Sequence, residues 1–497
     1  MTDSLLITMK KDHSWFFFVS VIYGILFTFC LYKNMSGITF PILVAGLLFT
    51  STAFLNKINI KIHRTSIPYF AGVFLLGIST CLTANEFFHF FNYVGIILLF
   101  MASMVHQVYD DKEWGFAEYA VKFFILAGMW ISSVAEPFKG KILKKDKEKE
   151  EGLVKNKNFR AVMIGILMAV LFFIVVMPLL MMSDRIFSSI FQNIFRVFDF
   201  RSFLYVEKIW DMFGIFLTFL VGMISLYAFF AGLFKKNLNG NVNKKIKKYN
   251  SVTGITFTAI LAAVYVLYSV IQILFLFLRI GDGLPDGMTY SQYAHEGFWQ
   301  LLFVSIINFA AVVFCMQIFS ENRILRILLC IVSVCTCVMI LSAAYRMLLY
   351  VGEYDLTFLR VLVLWFLAVL MFIFFGVIYN LYSKKFRLFR YIMIVVSIFY
   401  IGFSFSHVDS IIASYNISKM ETMDQMDVGY LIYGLSDDAA PEIAKLDKEN
   451  LRYKGMVESV DLYFAEIHSE ESSWRTWNLS RQQAKTAAEK WLESGNR

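Results

Sequence analysis

Apolar runs of about twenty residues recur along most of the chain, separated by short polar stretches. That is the length at which an α-helix crosses a hydrocarbon core. The runs fall at 15–32, 38–55, 67–84, 88–107, 160–182, 212–234, 252–278, 297–319, 324–349, 358–381 and 389–407. The short alternating segments that build a membrane β-barrel are absent. The pattern predicts an all-α fold, a polytopic transmembrane helical bundle of about eleven spans.

A further apolar segment, 115–137, has a different pattern. Glu118, Lys122, Ser133 and Glu136 fall near one side of a helical wheel. A helix with one polar stripe suits the membrane interface, and a twelfth span with a buried ion pair is the alternative. The basic loops arbitrate. The stretches at 56–64, 139–160, 235–250, 321–326 and 384–390 are all rich in Lys and Arg, which marks the cytoplasmic side. All five share one face only if 115–137 does not cross. The amino terminus is then cytoplasmic, and residues 408–497 are extracytoplasmic.

Four regions follow: an N-terminal four-span region (1–110), the interfacial helix with its basic cytoplasmic linker (111–160), a seven-span membrane core (161–407) and an acidic helical tail (408–497). The tail reads as a small all-α module docked on the outer face. Ser436 is placed to cap a helix through DDAAPEIAKL, MVESVDLYFAEIHS is apolar on one side, and Ser480 is placed to cap SRQQAKTAAEKWLES.

Composition agrees with a membrane protein: 58% of residues are hydrophobic and 17% charged. The net charge of +8 sits in the short loops, so it reports orientation and not nucleic-acid binding. Cys30, Cys81, Cys315, Cys330, Cys335 and Cys337 all lie inside apolar runs, which argues against a disulfide framework or a zinc site. No metal or cofactor motif and no catalytic signature (HExxH, GxSxG or a P-loop) occurs. GDGLPDG at 281–287 lacks calcium-loop spacing and reads as a turn.

The polar residues of the seventh to tenth spans line up. Tyr265, Tyr268, Gln272 and Arg279 form one stripe; Tyr293, Glu296, Gln300 and Asn308 form a second. Ser342, Arg346, Tyr350 and Glu353 share a third face, and the tenth span opens with Thr357 and Arg360. The topology puts Arg279, Glu296, Arg346, Glu353 and Arg360 in the same outer half of the membrane. Charges at that depth are expensive unless paired or hydrated. The candidate site is therefore an outward-facing polar cavity lined by Gln272, Arg279, Tyr290, Tyr293, Glu296, Gln300, Asn308, Arg346, Tyr350, Glu353 and Arg360, with Glu296 paired to Arg346. Interhelical polar pairs that only hold spans together are the structural alternative.

Several runs resemble a known family. LPDGMTYSQYAHEGFWQLLF carries a Tyr-x-x-Tyr-x-x-Glu-Gly-Phe motif in Tyr290, Tyr293, Glu296, Gly297 and Phe298. LSAAYRMLLYVGEYDLTFLR supplies Arg346, Tyr350, Tyr354, Leu356, Thr357 and Arg360, and SIIASYNI, VGYLIYGLSDDAAPEI and SSWRTWNLSRQQAK supply tail motifs. These resemble bacterial integral membrane proteins grouped as DUF4173, related to DUF4153. The chain departs from that pattern in having His295 where Arg precedes the Glu, and Asp355 where Gly follows the Tyr. The resemblance implies the architecture and a bacterial plasma membrane, and it implies no activity.

The leading reading is a non-enzymatic multi-pass protein that binds or conducts a small solute, ion or lipid through the cavity, without a cofactor. The bilayer is its one firm partner. A regulatory or assembly subunit that meets a membrane protein through the tail is the second reading. An intramembrane lipid- or glycan-processing enzyme using Glu296 or His295 as base is the third.

Overall fold

The computed structural model describes residues 2–111, 114–139, 207–235, 249–277, 290–383, 385–419, 425–446, 454–471 and 473–494. Among them there is no strand beyond an isolated bridge between Tyr249 and Phe319, and the chain is a series of helices. They are α1 (Thr2–Lys11), α2 (His13–Leu31), α3 (Thr39–Lys57), α4 (Ile67–Leu82), α5 (Glu86–Val108), α6 (Phe116–Ser132), α7 (Glu207–Lys235), α8 (Ser251–Ile271), α9 (Tyr290–Ile318), α10 (Arg323–Tyr354), α11 (Phe358–Tyr382), α12 (Leu388–Ser404), α13 (Val408–Lys419), α14 (Gln425–Tyr433), α15 (Ala440–Ile443), α16 (Lys454–Ser469) and α17 (Leu479–Ser494).

Ten described helices are long and apolar enough to cross a membrane. α12 joins them when taken with α13, from which it bends by 58°. Bulky apolar side chains such as Phe18, Phe49, Phe257 and Ile398 are exposed on these helices, as lipid-facing positions require. The protein is a multi-pass, all-α transmembrane protein. The expected span at 160–182 and most of the basic loops at 139–160 and 235–250 lie outside the described residues.

The chain forms two compact units, each assembled from segments distant in sequence. The first comprises Met1–Met35, Ala45–Ile62 and Lys122–Leu238. Here α2 packs along α7, and Gly222 lets Phe27 approach the α7 backbone. Phe16, Phe54 and Phe230 form an aromatic core with ring centroids 4.9 Å apart at both contacts. At one end Asp211 accepts from Tyr32 at 3.0 Å and pairs with Lys33 at 2.6 Å. At the other end Glu136 pairs with Lys139 at 2.7 Å, Lys10 at 3.4 Å and Lys235 at 3.8 Å, and Lys57 pairs with Asp12 at 3.7 Å.

The segment expected at the interface needs one correction. The stretch 118–138 is itself long and apolar enough to cross. Its polar stripe does not face water: Lys122, Ser133 and Glu136 are buried, while Val121 and Phe124 are exposed. Protein partners, the three lysines on Glu136 above all, replace the solvent that the wheel alone suggested.

The second unit comprises Ser36–Val44, His63–Val121 and Asn239–Arg497. α4 and α5 pair and α4 receives α12, while α10 packs against α8, α9 and α11. The tail is a helical module with its own core, in which Val428, Leu431, Ile443, Val460, Phe464 and Trp491 are central. The apolar side of α16 that supplies Met456, Val460, Phe464 and Ile467 is the one the sequence marked.

Two expected caps are assigned differently. Ser436 holds the N-cap position of the turn Asp437–Ala439 without capping it; its hydroxyl donates to the Asp409 carboxylate at 2.5 Å. Asn478, not Ser480, caps α17, accepting from the amides of Ser480 and Arg481 at 3.0 and 3.4 Å. In both cases the serine hydroxyl is directed to a carboxylate of the tail, Asp409 for Ser436 and Asp438 for Ser480, a charge-assisted bond that orients it away from the local cap. None of the six cysteines is in a disulfide, and Cys30, Cys81, Cys315 and Cys335 are buried.

Candidate functional site

α8 to α11 bring polar side chains into one seam. Tyr265 donates to Asn308 Oδ1 at 2.7 Å, and Asn308 Nδ2 donates to Thr336 Oγ1 at 2.9 Å. One layer along α10, Ser342 donates to Gln272 Oε1 at 2.6 Å. Gln272 opens a π-helical turn, Gln272–Phe277, that widens the end of α8. Arg346 follows one turn after Ser342 and is buried, with 9% of its surface exposed. Another turn on, the Arg360 guanidinium lies 4.3 Å from the Tyr350 ring centroid and donates to the carbonyls of Tyr354 and Asp355, where α10 ends. A cation at those carbonyls complements the helix dipole.

Gln272, Asn308, Arg346, Tyr350 and Arg360 thus lie in successive layers along α8 to α11. Apolar side chains separate the polar layers: Leu301, Leu302, Met339, Ile340, Ala343 and Leu367 form a packed cluster. Gln300 differs, since it is exposed on α9 and does not join this seam. Arg279 lies outside the described residues. Tyr290, Tyr293, His295 and Glu296 lie in α9 and Glu353 in α10, with side chains outside the described set. A cavity of about 400 Å³ opens at the opposite end of α9 to α11, lined by Cys315, Phe319, Glu321, Arg326 and Asn380 among others.

Asp355 explains one departure from the family pattern. Its φ of 64° and ψ of −178° fall in a region that only glycine adopts freely. A glycine, as the resemblance leads one to expect, would suit that turn. Here Asp355 holds it and pairs with Lys419 of α13 at 3.4 Å.

A second polar assembly, which the sequence did not mark, ties the tail to the ends of α4, α5, α10 and α11. The buried Asp438 accepts from Thr83 Oγ1 at 2.5 Å and from the Ala84 amide at 2.6 Å, and stands 3.6 Å from His407. Burial alone raises the pKa of Asp438, but the bonds from His407, the Ala84 amide, Ser480 and Thr83 bring it below the usual value. Contact with Asp438 in turn raises His407. Asp409 accepts from Asn85 Nδ2 at 2.7 Å and from Ser436, yet burial dominates and keeps its carboxyl raised. Asn478 Nδ2 donates to the carbonyls of Ser36 and Thr83 at 3.1 and 2.9 Å. Tyr430 accepts from the Phe358 amide at 3.0 Å. The sequence signal for these anchors is faint: buried-capable Asn and Asp in a tail that also carries solvated charge.

An all-α bundle with a polar seam inside its spans and a helical module fixed to one end defines a class of polytopic membrane protein. Residues 70–446 match the family described as a domain of unknown function, DUF4153, and the chain belongs to it. No curated protein sequence and no solved structure matches the chain.

Proposed function

We propose that the chain is a multi-pass protein of a bacterial plasma membrane that binds or conducts a small solute, ion or lipid in the seam of α8 to α11. The observation that carries this reading is Arg346, a buried guanidinium within a span, one turn from the Ser342–Gln272 pair and one turn from Tyr350. A cation at that depth is retained where it holds an anionic partner or ligand. Glu296, also on an adjoining helix of the seam, is the partner in this reading. The test is native mass spectrometry of the protein gently extracted from its own membrane. A reproducible small molecule or lipid that is lost in Arg346→Ala and Glu296→Gln supports the seam as a binding site. Retention of the same adduct in both folded variants refutes it.

The orientation is cytoplasmic for the amino terminus and extracytoplasmic for the tail. Connectivity supports it. If α2 to α5 each cross, Lys10, Lys57, Arg64 and His106 all belong to one side, the side of the basic loops. The first turn of α6 holds Tyr119, bonded to Asp111 just beyond α5, and the far end of 118–138 holds Glu136, bonded to Lys10. Both ends of that stretch then belong to the cytoplasmic side, which supports an interfacial helix despite its apolar length. Every tail anchor lies at the opposite helix ends: Thr83, Asn85, Leu356 and Phe358.

A second reading, an assembly or regulatory subunit, draws on the tail surface. Tyr433, Leu462 and Trp474 are 83%, 65% and 66% exposed on a module that stands outside the bundle. Exposed aromatics of this kind favour a protein partner. A subunit that copurifies with the wild type and is lost from Tyr433→Ala or Trp474→Ala supports this reading.

A further inference from the structure

Where α4 begins and α5 ends, three side chains of the second unit stand in series. Thr65 Oγ1 lies 2.8 Å from His106 Nε2, and His106 Nδ1 lies 2.9 Å from Asp111 Oδ1. Asp111 is buried; Arg390 donates to its Oδ1 at 2.6 Å, and the Tyr119 hydroxyl donates to its Oδ2. Arg390 also stands 3.4 Å from His106 Nδ1, but its shorter bond is to Asp111; an ionised carboxylate can only accept, so the ring proton belongs on Nδ1. That leaves Nε2 as an acceptor and the Thr65 hydroxyl as its donor. A hydroxyl, an imidazole and a buried carboxylate in this order are the arrangement that activates an alcohol as a nucleophile. We propose that Thr65, His106 and Asp111 form an acyl-transfer site that hydrolyses carboxylic esters of amphiphiles at the membrane surface.

The local fold supports this use. Thr65 is exposed, so a substrate can reach its hydroxyl, while Asp111 is shielded from water. Thr65 sits in the turn Arg64–Ser66 that runs directly into α4, a helix of sixteen residues. Ser66 stands at the N-cap without a side-chain cap bond; its amide donates to the His63 carbonyl, that of Ile67 donates to the Arg64 carbonyl, and Pro68 carries none. The positive end of the helix dipole lies beside the nucleophile, where it favours the charge of a tetrahedral oxyanion. The rings of Tyr69 and His63 stand 5.9 and 6.4 Å from that of His106 and flank it. Next to Thr65, Ile67 is 56% exposed and Arg64 is exposed, an apolar and a cationic surface side by side. That pairing fits an ester with an acyl chain and a polar or anionic head.

The chemistry balances with water as the only co-reactant. Thr65 Oγ1 attacks the ester carbonyl carbon, and its proton passes to His106 Nε2. The ester C–O bond breaks, and the proton goes to the departing alkoxide, releasing an alcohol and leaving an acyl ester on Thr65. Water, deprotonated by Nε2, then attacks this ester; the carboxylic acid departs and Thr65 regains its proton. Asp111 orients the ring and offsets the imidazolium charge, and Arg390 and Tyr119 position Asp111.

The site lies on helices α4 and α5 and is independent of the seam of α8 to α11. The test uses the full chain in detergent or vesicles, a long-chain alkyl fluorophosphonate as label and 4-nitrophenyl decanoate as ester. Wild type and Thr65→Ser are expected to take one label, mapped to residue 65. Thr65→Ala and His106→Gln are expected to lose it, with ester turnover down by about 100-fold or more. A folded Thr65→Ser protein that takes no label, or a label that persists in Thr65→Ala, overturns the proposal.

Discussion

Asn416 of α13 brackets the backbone of Leu356: its side chain accepts from the Leu356 amide at 2.9 Å and donates to the Leu356 carbonyl at 2.9 Å. One buried side chain thus satisfies both polar groups of a residue in the turn between α10 and α11. Asn416→Ala leaves an amide and a carbonyl without partners, which costs about 2–3 kcal/mol. The variant is expected to unfold at lower denaturant than the wild type and to lose protease resistance first within residues 408–494. Unchanged resistance there would show that the bracket contributes little.

Tail docking is expected to depend on pH through His407 and Asp438. His407 is raised above its ordinary 6.5 by Asp438, so its contribution is complete below pH 6.5 and is lost as pH rises through the raised value. Asp438 is held below its ordinary 3.8, so its contribution is present above pH 3.8 and is lost as pH falls through the depressed value. Asp409 is raised by burial and acts in the opposite sense, costing stability once it ionises. Docking is therefore tightest between the ordinary values of the two groups and weakens as pH rises through the raised value of His407. Hydrogen exchange of α13 against pH measures this, and His407→Gln should remove the alkaline limb.

Asp355→Gly removes a strain of about 1–3 kcal/mol. It also removes the pair with Lys419, which is partly exposed and worth less than about 1 kcal/mol. The net effect is a more stable protein, read as a higher midpoint of thermal unfolding in detergent. Asp355→Val keeps the strain, adds β-branching and loses the pair, so its midpoint should fall.

Gly232 admits the backbone of Met129 and Trp130: a Cβ there would lie 2.9 Å from Met129 C and O and from Trp130 N. Backbone cannot swing aside, so Gly232→Ala should destabilise the first unit by about 1–3 kcal/mol. Gly128→Ala, with nothing within 4 Å, is the control and should leave the melting midpoint unchanged or raised.

The membrane architecture was legible because its signal is cumulative: each span repeats the same evidence over about twenty residues. The seam was legible for a related reason, since Gln272, Asn308, Arg346 and Tyr350 announce themselves as polar residues at helical spacing inside apolar runs. The tail anchors carry no such contrast. Thr83 and Asp438 meet across 355 residues, and nothing near either marks the other. Ser436 and Ser480 each satisfy a local capping rule, yet the structure assigns Ser436 to Asp409 and gives the α17 cap to Asn478. The stripe of Lys122, Ser133 and Glu136 shows the same limit: a wheel identifies a polar side but not whether water or protein covers it.

The clamp of Asn478 on Ser36, Thr80 and Thr83 has a consequence for biogenesis. These acceptors emerge from the ribosome roughly four hundred residues before their donor. Through most of synthesis the end of α4 must wait without its bonds to Asn478 and Asp438, with only local partners such as His89 on the Thr83 carbonyl. Maturation of that face is therefore a late, single event triggered by arrival of the tail. Membrane insertion and final folding become separable steps, with an inserted but uncapped intermediate exposed to surveillance proteases between them.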